Sequence, residues 1–458
     1  MSYHVVNVLL HLSSVLLLFT LFKKLNIKEL HAFILCLVFA VHPVLSEAVA
    51  WIPGRNDTLL TVFTLSYLLF AIQYTNEGKL KWLLLSILAL ILAFFTKETA
   101  VFIAPTAFIL LVFILKRNWK EPKMLAQYGV WAGCFGLWYI ARSMATLQAM
   151  QVAPIQMLTD FAHRLPLVVQ YTGKMFLPFN LSVFPILEDT VYYYGCAAVV
   201  MLALIIYLAK DRDKRVLLSG FAIFLLFLLP ILLIPKSLNE QTFEHRLYLP
   251  FLGMLLVISQ TALFKNRLSD KNLLIGGLCA CGVLAGINFY HQRNFKDPIS
   301  FWTQAEETSP HSAFAVMMYA ARLTQKEDFP RACSLMRRAY ALNPKEKYLN
   351  FYMGQMLQNK DSVLASEPYL LEEKKISDYV LCDFLLARVD MEKKDYPASI
   401  NYLESYLQRD KYNKMAHSNL MLLYIQTQQR DKAIAHAKLM RNEGIEVPTQ
   451  FLQQLGIR

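Results

Sequence analysis

An all-α chain in two parts, a polytopic membrane bundle followed by an α-solenoid, is the fold class that the sequence predicts. Three observations predict it. Hydrophobic residues make up 56% of the 458 positions and charged residues only 17%, which leaves too little polar surface for a soluble protein of this length. The apolar residues are gathered in runs of roughly 18 to 20 residues, the length that crosses a hydrocarbon core as a helix. Beyond Tyr290 these runs stop, and amphipathic segments rich in Lys, Glu, Gln and Tyr follow with a regular recurrence of small residues, as stacked helix pairs require.

About ten spans are expected in the membrane domain, 1–290: 5–22, 30–47, 57–74, 82–95, 100–115, 125–142, 191–209, 216–235, 247–264 and 272–290. The stretch 161–178 carries His163, Arg164, Pro166 and Lys174, so it is read as an interfacial or re-entrant helix. Orientation follows from Lys and Arg, which are retained in cytoplasmic loops. If the first span runs from outside to inside, sixteen cations from Lys23 to Lys271 fall in one set of loops, and the other set holds only Arg55, Lys97, Lys236 and Arg246. Ten crossings then put both termini outside. A crossing at 161–178 would move the Lys210 to Arg215 cluster to the wrong side.

The net charge of +12 is explained by this topology and needs no nucleic-acid partner. Seven cysteines show no zinc-type spacing, and Cys279 and Cys281 point to different helix faces, so no metal site is read. The first apolar run lacks a basic leader and is read as a span, not a cleavable signal. Low cysteine use and the lack of an address signal favour a bacterial inner membrane with the C-terminal domain in the periplasm. In a eukaryote the equivalent place is the endoplasmic reticulum membrane, with that domain in the lumen.

A junction helix is expected at 291–311, opening with a short polar stretch at 291–298, and a repeat domain at 312–458. Ala332, Ala365, Ala398 and Ala433 are spaced 33, 33 and 35, and Ala321, Gly354 and Ala387 each precede one of them by eleven residues. Small residues at such intervals let paired helices cross closely. The units beginning Asp328-Phe-Pro-Arg-Ala and Asp395-Tyr-Pro-Ala-Ser resemble tetratricopeptide repeats. About four are counted, with 446–455 as a capping helix. The resemblance implies a concave face for a protein or peptide.

Chemistry is sought where charged residues stand on the outer side of the membrane domain, because each is costly there. Three stretches qualify: His42-Pro43-Val-Leu-Ser-Glu47-Ala-Val-Ala-Trp51-Ile-Pro-Gly54-Arg55-Asn56-Asp57, Thr96-Lys97-Glu98-Thr99 and Glu244-His245-Arg246-Leu-Tyr248-Leu-Pro250. Arg55, Lys97 and Arg246 suit a phosphate, whose oxygens match a guanidinium fork or an ammonium. Glu47, Asp57, Glu98 and Glu244 are the carboxyls that can orient or activate a hydroxyl, with His42, His245 and Tyr248 beside them. Structural roles compete: a Glu47–Arg55 bridge, helix-end snorkelling by Lys97 and Glu98, a helix stop at His42-Pro43, and a packing role for His11. A transporter is disfavoured because the polar residues gather at one face.

The three stretches, in this order and ahead of the repeats, resemble the transmembrane and tetratricopeptide-repeat (TMTC-type) O-mannosyltransferases and their bacterial relatives. Further matching positions are Tyr3-His-Val-Val-Asn7, Phe179-Asn180-Leu-Ser182 and the helix around Trp302. The resemblance implies a GT-C-like membrane fold and a polyprenyl-phosphate sugar as donor, with no nucleotide. It also implies transfer to a protein hydroxyl on the non-cytoplasmic face, with the repeats presenting the acceptor. Arg55, Lys97 and Arg246 would hold the donor phosphate, and Glu47, Asp57, Glu98 or Glu244 would orient donor or acceptor. Family members are expected to begin with one further helix and an acidic outer loop that supplies the catalytic base. This chain starts just before the second helix, so it reads as a truncated or inactive relative. The competing class is a non-catalytic membrane scaffold that displays its repeats to partners.

Overall fold

The computed structural model describes residues 2–145, 154–235, 240–266 and 268–456; Lys236 and Arg267 lie outside them. The described residues form helices and turns, with a single isolated bridge between Ile186 and Gln241. The chain divides into two compact units, Met1–Ser309 and Pro310–Arg458.

The first unit opens with α1 (Ser2–Lys24) and α2 (Glu29–Val41). A 3₁₀ turn, α3 (Ser46–Ala50) and a second 3₁₀ turn then lead into α4 (Arg55–Glu77), which ends at Gly78 with φ 69°. The chain continues through α5 (Leu80–Thr96), α6 (Ile103–Phe108) with a π turn at 109–114, and α7 (Pro122–Ala145). Next come α8 (Pro154–Arg164), α9 (Leu167–Phe176), α10 (Tyr193–Tyr207) and α11 (Lys214–Leu232). The last four are α12 (Pro250–Ile258), α13 (Ala262–Lys265), α14 (Asp270–Gln292) and α15 (Pro298–Thr308). The segment 291–311 is not a free linker: Gln304 of α15 accepts from the Val183 N–H at 2.9 Å and donates to the Leu181 carbonyl at 3.0 Å.

Only four of these helices are long and apolar enough to cross a membrane: Tyr3–Lys24, Ile52–Glu77, Lys214–Leu232 and Asp270–Phe295. A fifth is added if the pair Glu29–Val41 and Pro43–Ala50, bent by 54°, counts as one span. Three shorter apolar helices, Leu80–Thr96, Glu98–Ile114 and Tyr193–Tyr207, fall at other expected spans, and several of the apolar runs are broken rather than continuous. His42-Pro43 bends the second apolar run, a 3₁₀ turn opens the fifth, and the ninth is divided between α12 and α13. The stretch 161–178, expected as an interfacial or re-entrant helix, spans the end of α8 and the whole of α9. It breaks at Pro166, and α9 buries Leu167, Gln170, Tyr171, Lys174 and Met175 within the unit.

Glycines allow the closest helix contacts in this unit. A Cβ on Gly173 of α9 would lie 2.6 Å from the Gly195 nitrogen of α10, and one on Gly253 of α12 would lie 2.4 Å from the Phe224 nitrogen of α11. Backbones approach this closely only where no side chain intervenes, as between helices in lipid, where packing replaces the hydrophobic drive.

The second unit is built from helix pairs: α16 (Ala313–Gln325) with α17 (Phe329–Leu342), α18 (Leu349–Asn359) with α19 (Glu367–Ser377), α20 (Leu381–Glu392) with α21 (Tyr396–Arg409), and α22 (Lys414–Gln426) with α23 (Arg430–Asn442). The short α24 (Thr449–Leu455) buries Phe451 and Leu455 against the last pair. Each pair turns on one left-handed residue, Glu327, Asp361, Lys394 or Gln428. At each turn an N–H bonds back five residues, as from Asp328 to Leu323 and from Asp395 to Asp390, which satisfies carbonyls left open at the helix end. Five residues after each left-handed residue stands a fully buried small one: Ala332, Ser366, Ser399 and Ala433. The expected register is therefore shifted by one in the middle repeats, where Ala365 is exposed and Ala398 half-buried. Serine replaces alanine at the crossing because its hydroxyl finds a partner there: Ser399 donates to the Ala387 carbonyl at 2.8 Å, and Ser366 accepts from Gln358 at 3.0 Å.

Candidate active site

The break after α2 turns the segment 42–54 inward. His42 accepts from the Val44 N–H at 3.2 Å through Nδ1 and bonds the Met175 carbonyl through Nε2 at 3.0 Å. Both ring nitrogens are thus committed to the bend. Gly54 lets the loop close, since a Cβ there would come within 2.9 Å of the Glu47 carbonyl oxygen. Glu47 is fully buried, and its Oε2 accepts from the His245 backbone N–H at 2.8 Å and lies 3.3 Å from His245 Nδ1. Asp57, in the first turn of α4 where the helix dipole favours an anion, receives Lys97 Nζ on both oxygens at 2.8 and 2.9 Å. The His245 ring stands between the two acids, with Nε2 3.9 Å from Asp57 Oδ2, and packs against Phe243 and Trp51.

Glu244 is also fully buried. Its Oε1 accepts from Lys174 Nζ at 2.5 Å and from the Ser182 N–H at 2.9 Å. Loss of hydration pushes its carboxyl up to about 7; Lys174 opposes this shift and the charge of Glu47 adds to it. Four atoms of this site, Glu47 Oε1, Glu244 Oε2, His245 Nδ1 and the Tyr171 hydroxyl, are buried without a hydrogen-bond partner. Such atoms are unusual in a folded interior and call for a ligand, a proton or a water. Arg246 is half-buried, donates to the Gln241 carbonyl at 3.2 Å, and lies over the Phe243 ring at 5.6 Å. Its charge is felt at Tyr171 and at the buried Arg164.

Six of the ten residues singled out in the sequence are thereby assembled: Glu47, Asp57, Lys97, Glu244, His245 and Arg246. The other four stand apart. Arg55 does not bridge to Glu47; its Nε donates to Asn7 at 2.7 Å, a second nitrogen donates to the Tyr3 carbonyl at 3.1 Å, and Asn7 in turn donates to the Val49 carbonyl. Glu98 is exposed at the rim of a 270 Å³ cavity that it shares with Lys97, Trp138 and Arg142. The Tyr248 hydroxyl is buried against His11 Nδ1 at 2.6 Å, while His11 Nε2 meets the Ala40 carbonyl at 3.0 Å; this pair is packing inside the bundle. His42 holds the bend, as above.

Lys174 and Tyr171 are the members that sequence reading left out. The signal for Lys174 was present, a lysine within a largely apolar stretch, but it was used only to decide whether that stretch crosses the membrane. Among the described residues no group of three or more His, Cys, Asp or Glu is arranged to hold a metal ion.

Residues 1–140 match the model of the dolichyl-phosphate-mannose-protein mannosyltransferase family. The chain is 37% identical over 110 residues to the protein O-mannosyl-transferase F38B6.6 of Caenorhabditis elegans, an alignment taking in 23% of this chain and 15% of that protein. It is 45% identical over 76 residues to the human protein O-mannosyl-transferase TMTC2, taking in 16% of this chain and 9% of that one. The chain thus spans a small part of the length of the curated relatives it matches. Among solved structures, the APC/C hetero-tetramer Cut9-Hcn1 is 14% identical, covering 90% of this chain and 86% of that one at a TM-score of 0.32. Yeast Tom70 is 12% identical, covering 97% and 94% at 0.29; neither score is high enough to carry an argument. The segment 1–140, which holds Glu47, Asp57 and Lys97, is thus similar to the dolichyl-phosphate-mannose-protein mannosyltransferase family, and short stretches of the chain are similar to TMTC-type protein O-mannosyl-transferases.

Proposed function

We propose that the first unit is a glycosyltransferase module that receives a sugar from a polyprenyl-phosphate carrier and passes it to a protein hydroxyl on the non-cytoplasmic face. The observation that carries this reading is Glu47, a buried carboxyl held by His245 through one oxygen and left without a partner at the other. In the transfer, the acceptor oxygen forms a bond to the anomeric carbon as the bond from that carbon to the phosphate oxygen breaks. The hydroxyl proton passes to Glu47 Oε1, and the carrier leaves as its phosphate. Arg246 and Lys97 stabilise that phosphate. Lys97 gives two of its three N–H groups to Asp57 and keeps one for an oxygen of the donor. Arg55 ties α1 to the loop and so positions Glu47. The repeats present the acceptor protein. The charge asymmetry of the loops supports an extracytoplasmic site, in a bacterial inner membrane facing the periplasm or, in a eukaryote, in the endoplasmic reticulum facing the lumen.

The test is incubation of membranes bearing the chain with radiolabelled polyprenyl-phosphate mannose and an extracytoplasmic protein fraction. Glu47→Gln is expected to lower incorporation by roughly a hundredfold or more, and Arg246→Ala to raise the donor concentration needed. Equal label from all three chains would remove the site. A second reading, a non-catalytic scaffold, is favoured by one observation: Arg55 and Lys97 already have internal partners. Absence of label from the native chain, with capture of partners by the repeats retained, would decide for it.

A further inference from the structure

One cavity of the first unit lies beside the cluster around Glu47 and not within it. It has a volume of about 490 Å³ and lies where the end of α9, the segment 178–191, the end of α14 and α15 meet. That size is within the range of small-molecule sites. Its polar lining is unusual in being both buried and incomplete. Gln170 is 4% exposed and its Oε1 has no partner; His291 is 5% exposed and its Nε2 has none; the Asn180 Oδ1 is likewise buried and unpaired. Each of these atoms has no hydrogen-bond partner in the protein and needs one from elsewhere.

The chemistry of a fitting ligand follows from these groups. Asn294 donates to His291 Nδ1 at 3.4 Å, which leaves Nε2–H as a donor, while Gln170 Oε1 and Asn180 Oδ1 can only accept. The ligand therefore needs hydroxyl groups that donate at two points and accept at a third. It should not be an anion: the one buried cation in the lining, Lys174, is already neutralised by Glu244, and the carboxyls of Asp189 and Glu307 also line the cavity. Phe179 and Tyr290 add exposed aromatic faces to the lining, surfaces suited to the C–H face of a ring. A pyranose is a neutral, hydroxyl-rich ring of this kind.

We infer that this cavity is a pyranose-binding site, separated from Glu47 by the Lys174–Glu244 pair. Ser182 joins the two places, since it lines the cavity and its N–H bonds Glu244 Oε1. The inference does not require the transferase reading, because it concerns binding and not turnover. The pyranose can come from a lipid-linked sugar or from a sugar without a lipid.

The experiment uses the full chain in a sugar-free amphiphile, with methyl α-D-mannopyranoside observed by saturation-transfer NMR. Saturable binding is expected, weakened roughly tenfold by Gln170→Leu or His291→Phe and several-fold by Phe179→Ala, an exposed position that leaves folding undisturbed. Competition by polyprenyl-phosphate mannose would assign the site to a lipid-linked sugar; binding of the glycoside without such competition would assign it to a lipid-free one. The inference is overturned if the native chain binds no pyranoside saturably, if Phe179→Ala and Gln170→Leu bind like the native chain, or if inorganic phosphate displaces the glycoside.

Discussion

A carboxyl taken out of water keeps its charge only where partners offset the lost hydration, and Glu244 is the residue where that balance is closest. Lys174 meets one oxygen and no partner meets the other, so its affinity for a proton rises from an ordinary 4.5 to about 7. The folded protein then binds more protons than the unfolded chain between these two values. Stability contributed by this group is therefore greatest at the acid end of the window and falls as pH rises through it. Thermal unfolding of the detergent-solubilised chain should show this slope, and Glu244→Gln should flatten it. Lys174→Met, which removes the opposing cation, should carry the slope to higher pH. A slope unchanged in Glu244→Gln would show that another group titrates.

At the scale of helices, the two units solve close packing differently. In the first, Gly220 and Gly253 let α11 and α12 touch through their backbones. Gly253→Val forces that contact apart and is expected to destabilise the protein by about 1–3 kcal/mol, whereas Gly282→Ala, with nothing within 4 Å of the added methyl, is expected to be neutral or slightly stabilising. In the second unit the crossing residues are Ala332, Ser366, Ser399 and Ala433, each placed by the left-handed turn five positions before it. Ser399→Leu should lower the unfolding temperature, because the larger side chain meets a closed interface and the bond to the Ala387 carbonyl is lost. Ala365→Leu, at an exposed position, should leave it nearly unchanged. Equal effects from the two would restore the register read from alanines alone.

For the molecule as a whole, the functional reading depends on which compartment each charged stretch faces. Single cysteines placed at the exposed positions Glu98 and Lys210 in a background without other cysteines, beside a chain keeping only Cys333, measure this directly. An impermeant thiol reagent should reach position 98 and Cys333 from the non-cytoplasmic side, and position 210 from the cytoplasmic side. Opposite sides for position 98 and Cys333 would separate the site from the repeats and end the proposal that one presents substrate to the other.

Local composition was enough to establish the all-helical class, the change of character after Tyr290 and the places where charge stands against apolar runs. It also singled out Glu47, Asp57, Lys97, Glu244, His245 and Arg246, because an ionisable residue beside a hydrophobic stretch is conspicuous wherever the chain later puts it. What it did not hold was every property that depends on a neighbour distant in the chain. Lys174 meets Glu244 across 70 positions, Arg55 turns to Asn7 across 48, and His245 reaches Glu47 across 198. The helix break at His42-Pro43 interrupts an apolar run that hydropathy counts as continuous. The exchange of Ala365 and Ala398 for Ser366 and Ser399 at the crossings reflects the same cause: a sequence states which side chains are small, while packing decides which of them face a partner helix.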